Sequence, residues 1–245
     1  MISEFISQYP FAYADVGLWC STLATLPSLQ RVLFGFQEPE TEEQRDLVKI
    51  EALKELLRAP ALRTVEFYSS HFTDALCHAT ANALEEGSSV NDITFDLRCL
   101  FPDGGKAIIA NALKTNRSVT CIRFFGKCDD PLCNTLAAVL LCNSTLLHLT
   151  VHAARRDRCR WFSPIFLSLG MNTTLKSLCV NICDKFGDEL CAAIRNGLAK
   201  NLTLENLSLE GYLPGDDGAV LARNALSFLR TNTTLKSLAV HFQLG

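Results

Sequence analysis

The eleven cysteines of this 245-residue chain include no Cys-x-x-Cys pair. They are scattered instead: Cys20, Cys77, Cys133, Cys142 and Cys191 in or beside predicted helices, Cys121 and Cys179 in predicted strands. That distribution fits a reduced, cytoplasmic chain using cysteine as a small apolar filler. A disulfide framework is the weaker reading at this length. Long hydrophobic runs are missing too. The stretch Leu136–Cys142 is far below the roughly 18 apolar residues of a membrane span. The start carries an early acid, Glu4, with no basic region and no sustained apolar core, so no secretory leader is read. Charge of one sign is also absent: a net −3 and a pI near 6.0 give no global pull toward nucleic acid or anionic lipid. No G-x-S-x-G, no phosphate loop and no glycine-rich turn in the required context occurs, and Gly215-Asp-Asp-Gly218 reads as a turn. These absences lead to the expectation that the chain is not an enzyme, holds no cofactor or metal, and meets neither membrane nor nucleic acid.

What is present is a repeat. Asn172-Thr-Thr-Leu-Lys-Ser-Leu178-Cys-Val180 returns as Asn201-Leu-Thr-Leu-Glu-Asn-Leu207-Ser-Leu209 and Asn232-Thr-Thr-Leu-Lys-Ser-Leu238-Ala-Val240. Aliphatic anchors stand at Leu29, Leu62, Val90, Val119, Leu146, Leu175, Leu204 and Leu235, spaced 27 to 33 residues apart. Three and five residues after each anchor comes another apolar side chain, from Val32 and Phe34 to Leu238 and Val240. A two-residue step puts both on one face of a strand. Six residues before each anchor is a leucine: Leu23, Leu56, Leu84, Leu113, Leu140, Leu169, Leu198 and Leu229. These close alanine-rich stretches such as Glu189–Leu198, where three- and four-residue spacing predicts helix. Three residues before six of the anchors stands Gly87, Asn116, Asn143, Asn172, Asn201 or Asn232. Gly and Asn tolerate the left-handed conformation that follows many helix C-termini. Five of the six Asn-x-Ser/Thr sequons fall in that column, so the backbone, rather than glycosylation, explains them.

Each unit therefore reads strand, turn, helix, Asn turn, and strands joined by crossover helices run parallel. Helices are wider than the strand spacing, so stacked units curve with strands on the concave side. This pattern resembles the leucine-rich repeats of the ribonuclease-inhibitor type, also found in NOD-like receptors and Ran GTPase-activating proteins. The resemblance covers residues 15 to 242. It implies an α/β leucine-rich-repeat solenoid of about eight repeats, a horseshoe arc with a parallel concave sheet and convex helices. One domain over residues 1–245 is expected, with 1–28 a partial N-terminal repeat and 236–245 an uncapped last strand. That edge suggests additional repeats or another domain over it, since solenoid ends need polar caps.

Alternate strand positions on the concave side carry the candidate partner contacts: Glu66, Tyr68, Asp92, Asp96, Arg123, Phe125, His148 and His152. Binding interfaces favour Tyr and Arg as anchors, so the expected function is a non-catalytic module binding another protein there. The alternatives are a regulator that activates a GTPase or inhibits a nuclease, and the ligand-sensing region of a NOD-like receptor. His148 and His152, four apart on a strand, are separated by about 13 Å and cannot share a metal with bonds of about 2 Å. A site combining His148 with Cys121 and Cys179 lacks an obvious carboxylate. Asp92 and Asp96 fail as paired carboxylates on the same spacing. The loop Arg155, Arg156, Arg158, Arg160, ending at Trp161, offers a place for an anionic partner, although a solvated loop is the plainer reading.

Overall fold

The computed structural model describes residues 2–7, 12, 15–37, 47–126, 128–152, 159–182, 187–213 and 221–244. It is an α/β chain with an all-parallel sheet of nine strands in sequence order. The chain divides into two compact units, Met1–Phe125 and Gly126–Gly245.

The first unit holds β1 (Glu4–Ile6), α1 (Val16–Ala24), β2 (Arg31–Phe34), α2 (Leu47–Arg58), β3 (Thr64–Phe67), α3 (Asp74–Glu85), β4 (Asp92–Phe95), α4 (Gly105–Ala112) and β5 (Cys121–Phe124). Strand registers advance one repeat at a time: Val32 lies beside Val65, Val65 beside Ile93, Ile93 beside Ile122. All four are fully buried, as are Phe34, Phe67, Phe95 and Phe124 to within 1%. The phenylalanines form a ladder. Phe67 and Phe95 stack at 5.2 Å between centroids, Phe95 and Phe124 at 5.3 Å, both nearly coplanar in orientation. Full burial of each such side chain contributes about 1.5–3 kcal/mol. Eight predicted strands become nine because β1 pairs with β2, Phe5 opposite Val32. Three residues with only Phe5 turned inward, between exposed neighbours, give no leucine column to detect.

The second unit holds α5 (Asp130–Cys142), β6 (His148–His152), α6 (Ser163–Leu169), β7 (Ser177–Ile182), α7 (Asp188–Lys200), β8 (Asn206–Leu213) and β9 (Ser237–Leu244). Leu149, Leu178 and Leu207 align across β6 to β8 and are buried. The leucine column holds through Leu198 and then departs from expectation. Leu229 sits in a short 3-10 segment, Leu226–Arg230, and is 44% exposed. The tighter winding of a 3-10 segment shifts the face a residue presents, and Phe228, not Leu229, is the buried residue there.

Helix starts have local causes. Asp129 caps α5, its side chain accepting from the Leu132 N–H at 2.9 Å, with Pro131 in the first turn. Asp129→Ala is expected to cost about 1 kcal/mol, read as a fall of about 2–4 °C in Tm.

The Asn column is correctly placed, but its reason differs from expectation. Asn143 and Asn201 are extended, with φ of −81° and −74°, and only Gly87 in that column adopts positive φ, at +108°. What selects Asn is its side chain. Oδ1 of Asn201 accepts from the N–H groups of Thr203 and Leu204, and Nδ2 donates back to the Leu169 carbonyl. Asn116, Asn172 and Asn232 repeat the return bond, to Leu84, Leu140 and Leu198. Asn116, Asn143, Asn172 and Asn201 are at most 5% exposed, which closes those sequons to a glycan.

Candidate functional site

The strand face turned away from the buried ridges carries the polar side chains, and in the first unit they fall in two cross-strand rows. Glu66, Thr94 and Arg123 align in register on β3, β4 and β5. Their ends are paired: Arg31 Nη2 donates to Glu66 Oε1 at 2.7 Å, and Arg123 Nη1 donates to Asp92 Oδ1 at 2.5 Å and to Thr94 Oγ1 at 3.1 Å. The next row lies just past the strand ends. Tyr68, Asp96 and Phe125 each donate their backbone N–H to the carbonyl of the preceding strand's phenylalanine, Phe34, Phe67 and Phe95. The Arg98 guanidinium lies 4.2 Å from the centre of the Tyr68 ring and 3.4 Å from Asp96. This cation–π contact joins the two expected residues through a third that sequence spacing had missed, because Arg98 sits in the loop after β4 and off the strand register. Phe125 is fixed from behind. Lys106 of α4, 6% exposed, donates its Nζ to the Phe125 carbonyl at 2.8 Å.

Cys121 corrects one expectation. A place in a metal site beside His148 would need it on the open face, yet it is 7% exposed. It stands beside Asp92 in the β4–β5 register. Burial, then the Asp92 charge, pushes its thiol up to about 12.

In the second unit His148 opens β6 and is exposed. It stands beside Ser177 in the register, while Cys179 lies beside Thr150. His152, at the other end of β6, does converge with two residues from β7 and β8. Its Nε2 is 3.6 Å from Cys179 Sγ and 3.9 Å from Glu210 Oε2, and Cys179 Sγ is 3.6 Å from Glu210 Oε1. The Ser208 hydroxyl donates to the same carboxylate at 3.3 Å. All three converging residues are half-buried. Burial lowers the His152 pKa, partly offset by Glu210, so the contact at neutral pH is a neutral imidazole beside a carboxylate rather than an ion pair. Burial, then Glu210, pushes the Cys179 thiol up to about 11. His152, Cys179 and Glu210 are the one group of potential metal ligands among the described residues. Of the three, the sequence reading names His152 as an open-face residue, and the trio it weighs for a metal is His148, Cys121 and Cys179.

Arg155, Arg156 and Arg158 lie outside the described residues. Arg160 falls in a short 3-10 turn, Cys159–Phe162, and its side chain lies outside them as well. No helix among the described residues is long and apolar enough to cross a membrane.

No protein-family model matches the chain, and no curated protein sequence does. Among solved structures it is similar, at 10% identity and a TM-score of 0.30, to a GH18 chitinase from Pseudoalteromonas aurantia, over 98% of this chain and 92% of that one. That protein is an enzyme, and the expectation that this chain is not one is withdrawn beside it. A likeness of that size carries nothing further.

Proposed function

We propose that the chain is a leucine-rich-repeat domain of the ribonuclease-inhibitor type that binds another protein with the open face of its strands. The repeat-like alternation of parallel strands and helices supports the family reading, together with the leucine and asparagine columns. The observation that carries the binding reading is the row Tyr68, Asp96, Phe125 with Arg98 on the tyrosine ring. Two aromatic residues flank Asp96 at the ends of three neighbouring strands, each of the three held by a backbone bond to the sheet, and the Arg98 guanidinium from the loop after β4 lies on the tyrosine ring. Rigid aromatic and arginine anchors of this kind dominate protein interfaces. The adjacent Arg31–Glu66 and Arg123–Asp92 pairs supply charge that selects a partner more than it holds one.

The test is a variant carrying Tyr68→Ala, Arg123→Ala and Phe125→Ala. Immobilised beside the unaltered chain, it is expected to retain the same bound proteins at more than about tenfold lower yield by quantitative mass spectrometry. Its melting temperature should stay within a few degrees, because none of the three belongs to the fully buried ridge. Equal retention by both chains would remove this face from the proposal.

A further inference from the structure

From the convergence of His152, Cys179 and Glu210, we propose that the open face of the second unit is a binding site for a divalent transition metal, with Zn²⁺ the ion it fits. The proposal does not rest on the protein-binding reading.

The site follows from strand register. His152 of β6, Asn181 of β7 and Glu210 of β8 stand in one row, and Cys179 lies two residues back on the central strand. The Cα atoms of His152 and Glu210 are thus two strand spacings apart, roughly 10 Å. Only long side chains leaning over β7 close that gap. The imidazole and the carboxylate do so, and meet above the short cysteine. One donor atom from each of three strands ends within 4.8 Å of the others.

The edges of that triangle have the size a zinc ion needs. Zinc bonds of about 2.0–2.3 Å in tetrahedral geometry place neighbouring ligand atoms about 3.3–3.6 Å apart. His152 Nε2 is 3.6 Å from Cys179 Sγ, while the two carboxylate oxygens of Glu210 make one approach each, Oε1 at 3.6 Å from the sulfur and Oε2 at 3.9 Å from the imidazole. A turn of the Glu210 carboxylate that brings one oxygen toward both partners, from donor atoms already within 4.8 Å of one another, completes the fit. The chemistry of the donors agrees: thiolate, imidazole and carboxylate are all zinc ligands, whereas calcium and magnesium take oxygen. Charge closes as well, since a thiolate and a carboxylate neutralise a dication and the imidazole binds as the neutral form. The Ser208 hydroxyl on Glu210 supplies the kind of outer hydrogen bond that orients a ligating carboxylate. Three protein ligands on a face turned to solvent leave a fourth position for water.

The competing account is a hydrogen-bonded trio with no affinity for metal, and one titration separates the two. The full chain, stripped with a chelator and reduced, is titrated with Co²⁺ and then Zn²⁺. A thiolate-to-cobalt charge-transfer band is expected, saturating at one ion per chain and abolished by Zn²⁺. Cys179→Ser should eliminate the band. His152→Asn and Glu210→Gln should each weaken cobalt binding by more than about tenfold. Cys142→Ser, at the exposed cysteine that ends α5, should leave it unchanged. No band in the unaltered chain would overturn the proposal, as would a band that survives Cys179→Ser. Because the first measurement uses the unaltered chain, a variant that fails to fold cannot rescue the idea.

Discussion

Replacing Asn201 with alanine is expected to destabilise the chain by about 4 kcal/mol, a fall of roughly 8–16 °C in Tm. The side chain is 1% exposed and serves four backbone groups. Its Oδ1 accepts from the N–H groups of Thr203 and Leu204 at 3.0 and 2.7 Å. Its Nδ2 donates to the carbonyls of Leu169 and Asn172 at 2.7 and 3.2 Å. Alanine leaves these groups short of partners, and each buried orphan costs about 1–3 kcal/mol, partly relieved by an entering water or by the Thr203 hydroxyl already on Asn172. The damage also crosses a repeat boundary, since Leu169 ends α6 and Leu204 precedes β8. Asn201→Asp is the informative control. It keeps the oxygen that accepts from both N–H groups but points its second carboxylate oxygen at two carbonyl oxygens, so its folded-state pKa lies above its unfolded one. The variant is therefore least destabilised below the unfolded aspartate pKa of about 3.9, and loses stability as pH rises through the folded value. Thermal melts at acid and neutral pH measure both effects. An Asn201→Ala chain melting within about 2 °C of the original would mean that the ladder is ornamental.

That ladder shows what a sequence yields and what it withholds. The columns at Leu178, Val180 and Asn201 are visible because a repeat aligns them with copies of themselves, and the ridge they mark is buried as far as Leu209, whereas Val240 of the last strand is 37% exposed. The reason for Asn is not visible in one unit. Its amide reaches a carbonyl 32 residues back, a contact that exists only once neighbouring units stack. The metal trio was hidden for a related cause. His152 and Glu210 stand six residues past their anchors and Cys179 four past its own, so no single column joins all three. Their meeting depends on how far two long side chains lean across a strand, and spacing along one strand says nothing of that. Tyr68 and Phe125 were legible as open-face positions, whereas Arg98, fixed by a loop rather than by register, was not. The short β1 left no trace because Phe5 alone marks its inward side.

Gly197→Ala is expected to cost about 3 kcal/mol or more, the reverse of its usual effect. Within a helix, Gly to Ala ordinarily gains up to about 1 kcal/mol, and the run Asp188–Lys200 looks like an ordinary alanine-rich helix. The position is decided by its neighbour. A Cβ at Gly197 would fall well inside contact distance of the Phe166 carbonyl oxygen and 2.8 Å from the Phe166 carbonyl carbon. These are backbone atoms of α6, which cannot rotate aside as a side-chain tip does. Relief requires α6 and α7 to part, opening a seam in which Phe166, Leu169, Ile194 and Leu198 are fully buried. The crowding has a general origin: strands repeat about every 4.8 Å, whereas packed helices prefer 8–10 Å. Helices on consecutive units are therefore pressed together wherever their axes come nearest, and a residue without a side chain marks the spot. Gly170 lies in the same seam but has its nearest atoms at 3.5 Å, so Gly170→Ala should stay within about 1 kcal/mol of the original. Parallel melts of the two variants separate backbone collision from a general intolerance of the seam. A Gly197→Ala chain as stable as Gly170→Ala would show that the helices slide apart at little cost, and that their spacing is set by the strands alone.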